Sequence, residues 1–185
     1  MHTNAEMIFD KYATPLLPAG INVLEAGIGK RFWLSPYIKS APQRGWVHYF
    51  CDYGNFGPDH PYHIHQNGEY SICIGDDTFD AVISQQTLEH VRKPWLLVQE
   101  FARVVKPGGL IVMVVPMTWE VHRNPWDCWR IYPDGMRSLI NHAGCEEVLV
   151  REEHIKDTER ERECQWGQVP VRDVIGIARK PGGKK

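Results

Sequence analysis

An acid followed by a Gly-x-Gly turn, Glu25-Ala26-Gly27-Ile28-Gly29, is the part of this sequence that most clearly could bind a ligand. This motif directly follows residues 21–24, whose mostly apolar composition is typical of a buried parallel strand. Glycines let a ligand approach the main chain where a side chain would block it. A dinucleotide fingerprint would need a third glycine at position 32, where Phe32 stands instead. Glu25 therefore predicts a cationic or hydroxylated ligand rather than a pyrophosphate.

The elements around this turn alternate between strands and helices. The clearest helix begins near Pro94, carries apolar residues at three- and four-residue spacing, and is stopped by the Pro-Gly-Gly at 107–109. Such alternation predicts an α/β fold with a mainly parallel sheet, in which ligands bind beyond the carboxyl ends of the strands. The predicted strands are residues 21–25, 46–51, 70–74, 79–84, 110–115, 147–151 and 174–178, and the predicted helices lie within residues 1–20, 30–39, 95–105 and 133–143.

Composition limits the classes of function. The 185 residues carry 21 Lys and Arg against 23 Asp and Glu, so no general positive field attracts nucleic acid. No apolar stretch has the length of a membrane span, and the N-terminus has no secretion signal. The five scattered cysteines favour reduced thiols in a cytoplasmic protein. We expect a lead-in helix and loop at residues 1–20, one domain at 21–179 and a disordered tail at 180–185.

Four motifs in order connect the chain to a known family. They are VLEAGIG at residues 23–29, DDTFDAVIS at 76–84, LEHV at 88–91 and RVVKPGGLI at 103–111. With this set the chain resembles the class I S-adenosylmethionine-dependent methyltransferases, in their small-molecule, type 11-like group. The resemblance covers about two thirds of the sequence. It implies a Rossmann-like, doubly wound sheet of about seven strands, mainly parallel with an antiparallel last strand.

The resemblance also implies S-adenosylmethionine as the cofactor. Glu25 would order the glycine loop and accept from the cofactor's ammonium, and Asp52 would accept hydrogen bonds from the two ribose hydroxyls. A plain loop-ordering role for Glu25 and a plain turn-forming role for Asp52 are the alternatives. The full set of predicted cofactor-binding residues is Glu25, Ala26, Gly27, Gly29, Asp52, Ser84 and Gln85.

The sequence departs from the family at two points. Arg31 stands where a further glycine is frequent, and the acid that reads the adenine amino group has no clean match, Glu69 being the nearest. These departures keep an alternative open, in which the chain is a catalytically inactive S-adenosylmethionine-binding or scaffold protein with the same fold.

The segment at 116–130, which follows the fifth predicted strand, is expected to form the acceptor pocket. We predict His122 as a catalytic base and Asp127 as its orienting or acceptor-binding partner. Trp119, Trp126 and Arg130 are predicted to bind the acceptor. In the alternative interpretation Trp126 and its neighbour Trp129 are core residues, and Asp127 and Arg130 simply pair.

No metal site is predicted. The histidines at positions 60, 63 and 65 lie in a polar loop without a suitably spaced carboxylate or cysteine, and Glu89 and His90 can be explained as structural residues. The predicted function is direct in-line methyl transfer to a metabolite or sugar-like acceptor. A nucleic-acid or protein acceptor is disfavoured by the balanced charge, and a homodimer that completes the pocket is an open expectation.

Overall fold

The computed structural model describes residues 3–29, 35–53, 60–154 and 172–183. Helices lie on a six-stranded sheet with strand order β2-β1-β3-β4-β6-β5, in which β6 runs antiparallel to both of its neighbours. No helix among these residues is both long and apolar enough to span a membrane. The elements in chain order are α1 (Thr3–Tyr12), β1 (Asn22–Ala26), α2 (Pro36–Arg44), β2 (Val47–Cys51), β3 (Phe79–Gln85), α3 (Pro94–Val104), β4 (Val105–Thr118), α4 (Pro133–His142), β5 (Glu146–Glu153) and β6 (Arg172–Arg179).

Apolar side chains cover both faces of the sheet, as the doubly wound prediction requires. One cluster includes Phe101 of α3 and Met136 of α4. The other includes Phe9 of α1 and Tyr37 of α2, whose ring centroids are 4.5 Å apart. Helix α1 therefore contributes to the core rather than merely leading into it. The predicted α/β class and antiparallel last strand are confirmed.

The predicted strand at residues 70–74 is wrong, which reduces the expected seven strands to six. Its backbone groups are bound elsewhere: Ile72 donates to Glu100 Oε1 at 2.7 Å, and the carbonyls of Ile72 and Ile74 accept from Arg103 at 2.9 and 2.8 Å. Cys73 donates to the carbonyl of His65 at 2.8 Å. The segment thus folds back on itself and onto α3, because its backbone hydrogen bonds are already satisfied.

The helix predicted at residues 30–39 is displaced. Residues 30–34, which include Arg31 and Phe32, lie outside the described residues. The observed helix α2 begins at Pro36, whose missing N–H costs nothing at the first helical position. Ser35 caps it by accepting from the backbone N–H groups of Tyr37 and Ile38. The helix passes Pro42 and ends before Gly45, which adopts the left-handed conformation at φ 69°.

The Pro-Gly-Gly stop has the predicted effect on α3 but lies within the next strand. Helix α3 ends at Val104, and residues 106–109 form an irregularity of β4 opposite Asp80. A Cβ on Gly109 would lie 2.7 Å from the carbonyl oxygen of Asp80, so only glycine fits at this close approach. Lys106 Nζ lies 2.6 Å from Asp80 Oδ1 and fixes the same junction.

The remaining boundaries differ from prediction by a few residues at most. Lys180, the first residue of the predicted tail, donates to Asp77 Oδ1 at 2.6 Å, while residues 184–185 lie outside the described part. The division into lead-in segment, domain and tail stays a prediction.

The carboxyl ends of β1, β2 and β3 are level. Ala26 pairs with Cys51 of β2 and with Ser84 of β3, and Gln85 of β3 pairs with Val114 of β4. The residues that follow these positions must therefore leave the sheet at one edge.

Candidate active site

Glu25 lies at the carboxyl end of β1, and its carboxylate is buried beside α2. Ser35 Oγ donates to it at 2.7 Å, and His48 Nε2 lies 3.1 Å from the same oxygen. Because Ser35 also caps α2, the carboxylate helps to position the start of that helix. Glu25 therefore orders the start of α2, through its hydrogen bond from Ser35.

Asp52, which directly follows β2, is joined to the glycine turn. Its Oδ2 accepts a hydrogen bond from the backbone N–H of Gly29. Burial raises the pKa of Asp52, and the hydrogen bonds from the backbone of Gly29 and Tyr53 oppose this rise. The carboxylate thus closes the turn from the neighbouring strand, as a residue that grips a ligand beside the turn would have to do.

The two glycines of the turn have different environments. Both have positive φ, 84° at Gly27 and 71° at Gly29. A Cβ at Gly27 would lie 2.1 Å from Oγ1 of Thr87, whereas one at Gly29 would meet no atom of the described residues within 4 Å. Thr87 therefore fills the space beside Gly27, and among the residues that the structure describes nothing fills the space beside Gly29.

Ser84 and Gln85 end β3 and present buried polar groups. Ser84 Oγ and both amide atoms of Gln85 have no hydrogen-bond partner among the described residues. Since side chains alternate along a strand, Ser84 faces the α3 and α4 side with Val82, and Gln85 faces Tyr37 on the other side. A buried polar group left without a partner costs about 1–3 kcal/mol. Ser84 is therefore suited to a polar ligand at this edge, whereas the amide of Gln85 lies beside the hydroxyl of Tyr37.

Glu69, the nearest match for an adenine-reading acid, is already engaged. Arg92 lies 2.7 Å from its Oε1, and the hydroxyl of Tyr70 donates to its Oε2 at 2.5 Å. A surface depression on the outer side of β2, lined by residues such as Trp46, Phe50 and Tyr62, includes none of the predicted site residues.

Arg130 organises the segment that follows β4. It binds Asp127 through two oxygens at 2.6 and 2.9 Å and donates to the backbone carbonyls of Trp119 and Glu120 at 3.2 and 2.7 Å. Asp127 also accepts from the backbone N–H of His122 at 2.7 Å. Hydrogen bonds from Arg130 lower the pKa of Asp127 to about 2 against the effect of burial. Asp127 and Arg130 thus form the ion pair that the alternative interpretation of the sequence expected, and together they hold the loop in shape.

The tryptophans of this loop are not core residues. Trp126 is 50% and Trp129 39% exposed. Trp129 donates from Nε1 to the carbonyl of Val91 at 2.9 Å, and Arg92 lies over the Trp126 ring at 5.9 Å. The half-buried Trp119 lies 6.5 Å from the ring of His122. Exposed aromatic faces remain available for an acceptor.

His122 lies next to two residues that the sequence analysis treated as structural. Its ring is 4.8 Å from that of His90 in an edge-to-face arrangement. The neighbouring Glu89 is completely buried in a 3-10 turn at Leu88–His90, and neither carboxylate oxygen has a hydrogen-bond partner among the described residues. Burial raises the pKa of Glu89 to about 8, although its own backbone N–H and, to a smaller extent, the charge of Arg130 oppose this rise. In the sequence, the feature that could have indicated this group is the Glu-His pair, which begins five residues after Ser84, just beyond the end of β3.

Comparison with known proteins supports the motif assignments. Residues 55–113 match the sequence profile of a methyltransferase domain of type 11. An uncharacterised methyltransferase of Mycobacterium sp. (strain JLS) is 32% identical in an alignment of 123 residues that covers 59% of this chain and 45% of that protein. The chain therefore spans about half the length of this relative.

The fold is similar to that of two solved proteins. The (4+2)-cyclase SpnF has a TM-score of 0.72 at 16% identity, over 97% of this chain and 81% of the cyclase. A S-adenosylmethionine-dependent methyltransferase of Methanosarcina mazei has a TM-score of 0.68 at 16% identity, over 95% and 97% of the two chains. At these identities the likeness shows a shared fold. Together with the sequence matches, it confirms the family resemblance predicted from the four motifs.

Proposed function

Because the chain resembles the class I methyltransferases of type 11 in sequence and fold, we propose that it transfers a methyl group from S-adenosylmethionine to a small metabolite or sugar-like acceptor. The observation that carries this proposal is the tie between Asp52 and Gly29 at the level ends of β1, β2 and β3. A carboxylate, the glycine turn and the buried polar end of β3 thus lie at one edge of the sheet, which supports the proposal.

The residues present fit the proposed cofactor. Asp52 would accept from the ribose hydroxyls, and the open side of Gly29 would leave room for the cofactor chain. Ser84 offers a buried hydroxyl on the level of Ala26, where the methionine part would lie. Glu25 would support this arrangement indirectly, by positioning the start of α2. Because its carboxylate already accepts from Ser35, a direct bond to the cofactor's ammonium is the less favoured role.

Bound S-adenosylmethionine would supply a methyl group made electrophilic by its sulfonium. The task of the protein is to hold an acceptor lone pair in line with the carbon–sulfur bond and to exclude water, which can contribute roughly 7–11 kcal/mol. We assign this role to the loop after β4, because Arg130 and Asp127 hold its shape and Trp126 is half exposed. His122 would receive the proton of a hydroxyl acceptor as the new bond to carbon forms and the carbon–sulfur bond breaks towards sulfur.

Calorimetric titration with S-adenosylmethionine and its demethylated product tests the proposal, followed by an acceptor panel of sugars, amines and phenols. We expect both ligands to bind at one site, and one acceptor class to yield methylated product. If neither ligand binds at millimolar concentration, the proposal fails. If both bind but no acceptor reacts, the inactive binding or scaffold alternative is favoured.

A further inference from the structure

Three side chains that can bind metals converge beside the loop after β4. They are Glu89, His90 and His122, and one ligand atom from each lies within 4.8 Å of the others. Glu89 Oε1 and His90 Nε2 are 3.7 Å apart. A tetrahedral ion with bonds of about 2.0–2.1 Å separates its ligands by roughly 3.4 Å, so small side-chain movements would complete such a site.

The state of Glu89 points to a ligand. The side chain is fully buried, and both oxygens lack a hydrogen-bond partner among the described residues. Nearby Arg130 directs its nitrogens to Asp127 and to backbone carbonyls instead. Buried carboxylates are normally paired, hydrogen-bonded or bound to a metal, because an isolated polar group in the interior is destabilising, and a charged one more so.

Both histidines are oriented as metal ligands are. His90 Nδ1 lies 2.6 Å from the carbonyl oxygen of Trp126, and His122 Nδ1 lies 3.1 Å from that of Glu120. A carbonyl can only accept, so each Nδ1 carries the proton and each Nε2 keeps its lone pair. Backbone carbonyls that fix the ring and tautomer are typical partners of metal-binding histidines.

We propose that Glu89, His90 and His122 bind one divalent transition-metal ion of the Zn²⁺ type. Two imidazoles and one carboxylate suit such an ion better than Mg²⁺ or Ca²⁺, which prefer oxygen ligands. Three protein ligands leave at least one position open, as in catalytic zinc sites. This differs from the sequence analysis, which predicted no metal site and placed the metal alternative on the histidines at 60, 63 and 65.

The ion would also define how the acceptor is activated, a consequence that rests on the proposed function. An acceptor hydroxyl bound at the open position would lose its proton to solvent more easily. Its oxygen would then form the bond to the methyl carbon while the carbon–sulfur bond breaks towards sulfur. His122 would act as a ligand rather than as the base, and the favoured acceptors would carry a hydroxyl group.

The test measures metal binding without any methyl donor, so it is independent of the proposed function. The full chain, stripped with chelator, is titrated with Zn²⁺ in a calorimeter and with Co²⁺ by visible absorption. We expect one strong equivalent and the d–d bands of Co²⁺ bound to nitrogen and oxygen. Glu89→Gln, His90→Ala and His122→Ala should each weaken Zn²⁺ binding by at least ten-fold, while circular dichroism verifies that each variant is folded.

Two matched variants separate this site from adventitious binding. His142→Ala removes an exposed histidine of α4, and His65→Ala removes one from the polar loop; both should keep the strong equivalent. Zn²⁺ should also raise the melting temperature of the wild type more than that of Glu89→Gln. Unchanged Zn²⁺ affinity in the three site variants, or loss of the strong equivalent in His65→Ala, would overturn the proposal.

Discussion

Asp52 accepts a hydrogen bond from the backbone N–H of Gly29, so the carboxylate that follows β2 closes the glycine turn that follows the neighbouring strand β1. The two residues are 23 positions apart in sequence and become neighbours because Ala26 and Cys51 are paired in the sheet. The proposed grip on S-adenosylmethionine depends on this relationship.

Replacement of Asp52 should weaken cofactor binding. Hydrogen bonds to a charged group contribute about 1.5–3 kcal/mol, so Asp52→Ala should raise the Kd for S-adenosylmethionine by roughly ten-fold or more. Calorimetry measures this directly. Asp134→Ala, at a side chain that is 98% exposed on α4, is the control and should bind as the wild type does. Equal affinity in Asp52→Ala would remove Asp52 from the site.

The two glycines of the turn should respond differently to alanine. Gly29→Ala has free space and only the strain of positive φ, about 1–2 kcal/mol, whereas Gly27→Ala also collides with Thr87. Thermal melting should therefore show a larger loss of stability for Gly27→Ala. Adding Thr87→Ala removes Oγ1 but leaves the Thr87 Cβ 2.6 Å away, so it should restore part of the loss. An equal effect of both single changes would contradict this packing.

Glu100 should make the segment before β3 sensitive to acid. Burial would raise its pKa, but the hydrogen bonds from Arg103 and Ile72 outweigh this and lower the pKa below its usual value of 4.5. A carboxylate whose folded pKa is lowered adds stability that is present above the unfolded pKa and lost as the pH falls through the folded one. Glu100→Gln should thus be less stable than the wild type by about 2 kcal/mol at pH 7.

The measurement for Glu100 is urea unfolding at several pH values. The difference between wild type and Glu100→Gln should shrink as the pH falls below about 4.5. Glu147→Gln, at a half-exposed carboxylate 3.3 Å from Arg137, is a control that should show a much smaller difference at pH 7. A difference that stays constant with pH would show that the charge of Glu100 is not responsible.

His122→Ala should separate turnover from cofactor binding. The ring lies on the proposed acceptor side, beside His90 and Trp119, and the contacts described for it do not include Gly29. We expect turnover to fall by about 100-fold, whether His122 acts as a base or as a ligand of the proposed metal ion, with unchanged affinity for S-adenosylmethionine. Steady-state kinetics and calorimetry on the same preparation measure both. The exposed His142→Ala is the control, and normal turnover in His122→Ala would exclude His122 from the chemistry.

Local patterns predicted the elements that depend on local chemistry. The apolar periodicity after Pro94 gave α3, and the apolar run at 110–115 gave the centre of β4. The strand at 70–74 was wrong because nothing in its own residues reveals that Glu100 and Arg103 satisfy its backbone. Contacts with partners distant in sequence decided that segment.

In the candidate site, too, features set by local sequence could be predicted and contacts between distant segments could not. Asp52 and the Gly-x-Gly turn could be assigned to one edge of the sheet because strand ends are recognisable in sequence. The Glu-His pair at 89–90 is visible in the sequence, but its contact with His122 depends on how two loops pack, and so does the occupation of the space at Gly27 by Thr87. The pairing of Asp127 with Arg130 could be predicted from the sequence, since the two residues are three positions apart.

An NMR titration of the ¹⁵N-labelled protein with demethylated cofactor tests whether a sulfonium cofactor binds at the ends of β1, β2 and β3. We expect saturable shift changes concentrated at the amides of Gly29, Asp52 and Ser84, with little effect at His142. Shift changes that avoid these amides, or no saturable change at millimolar ligand, would contradict binding at this site.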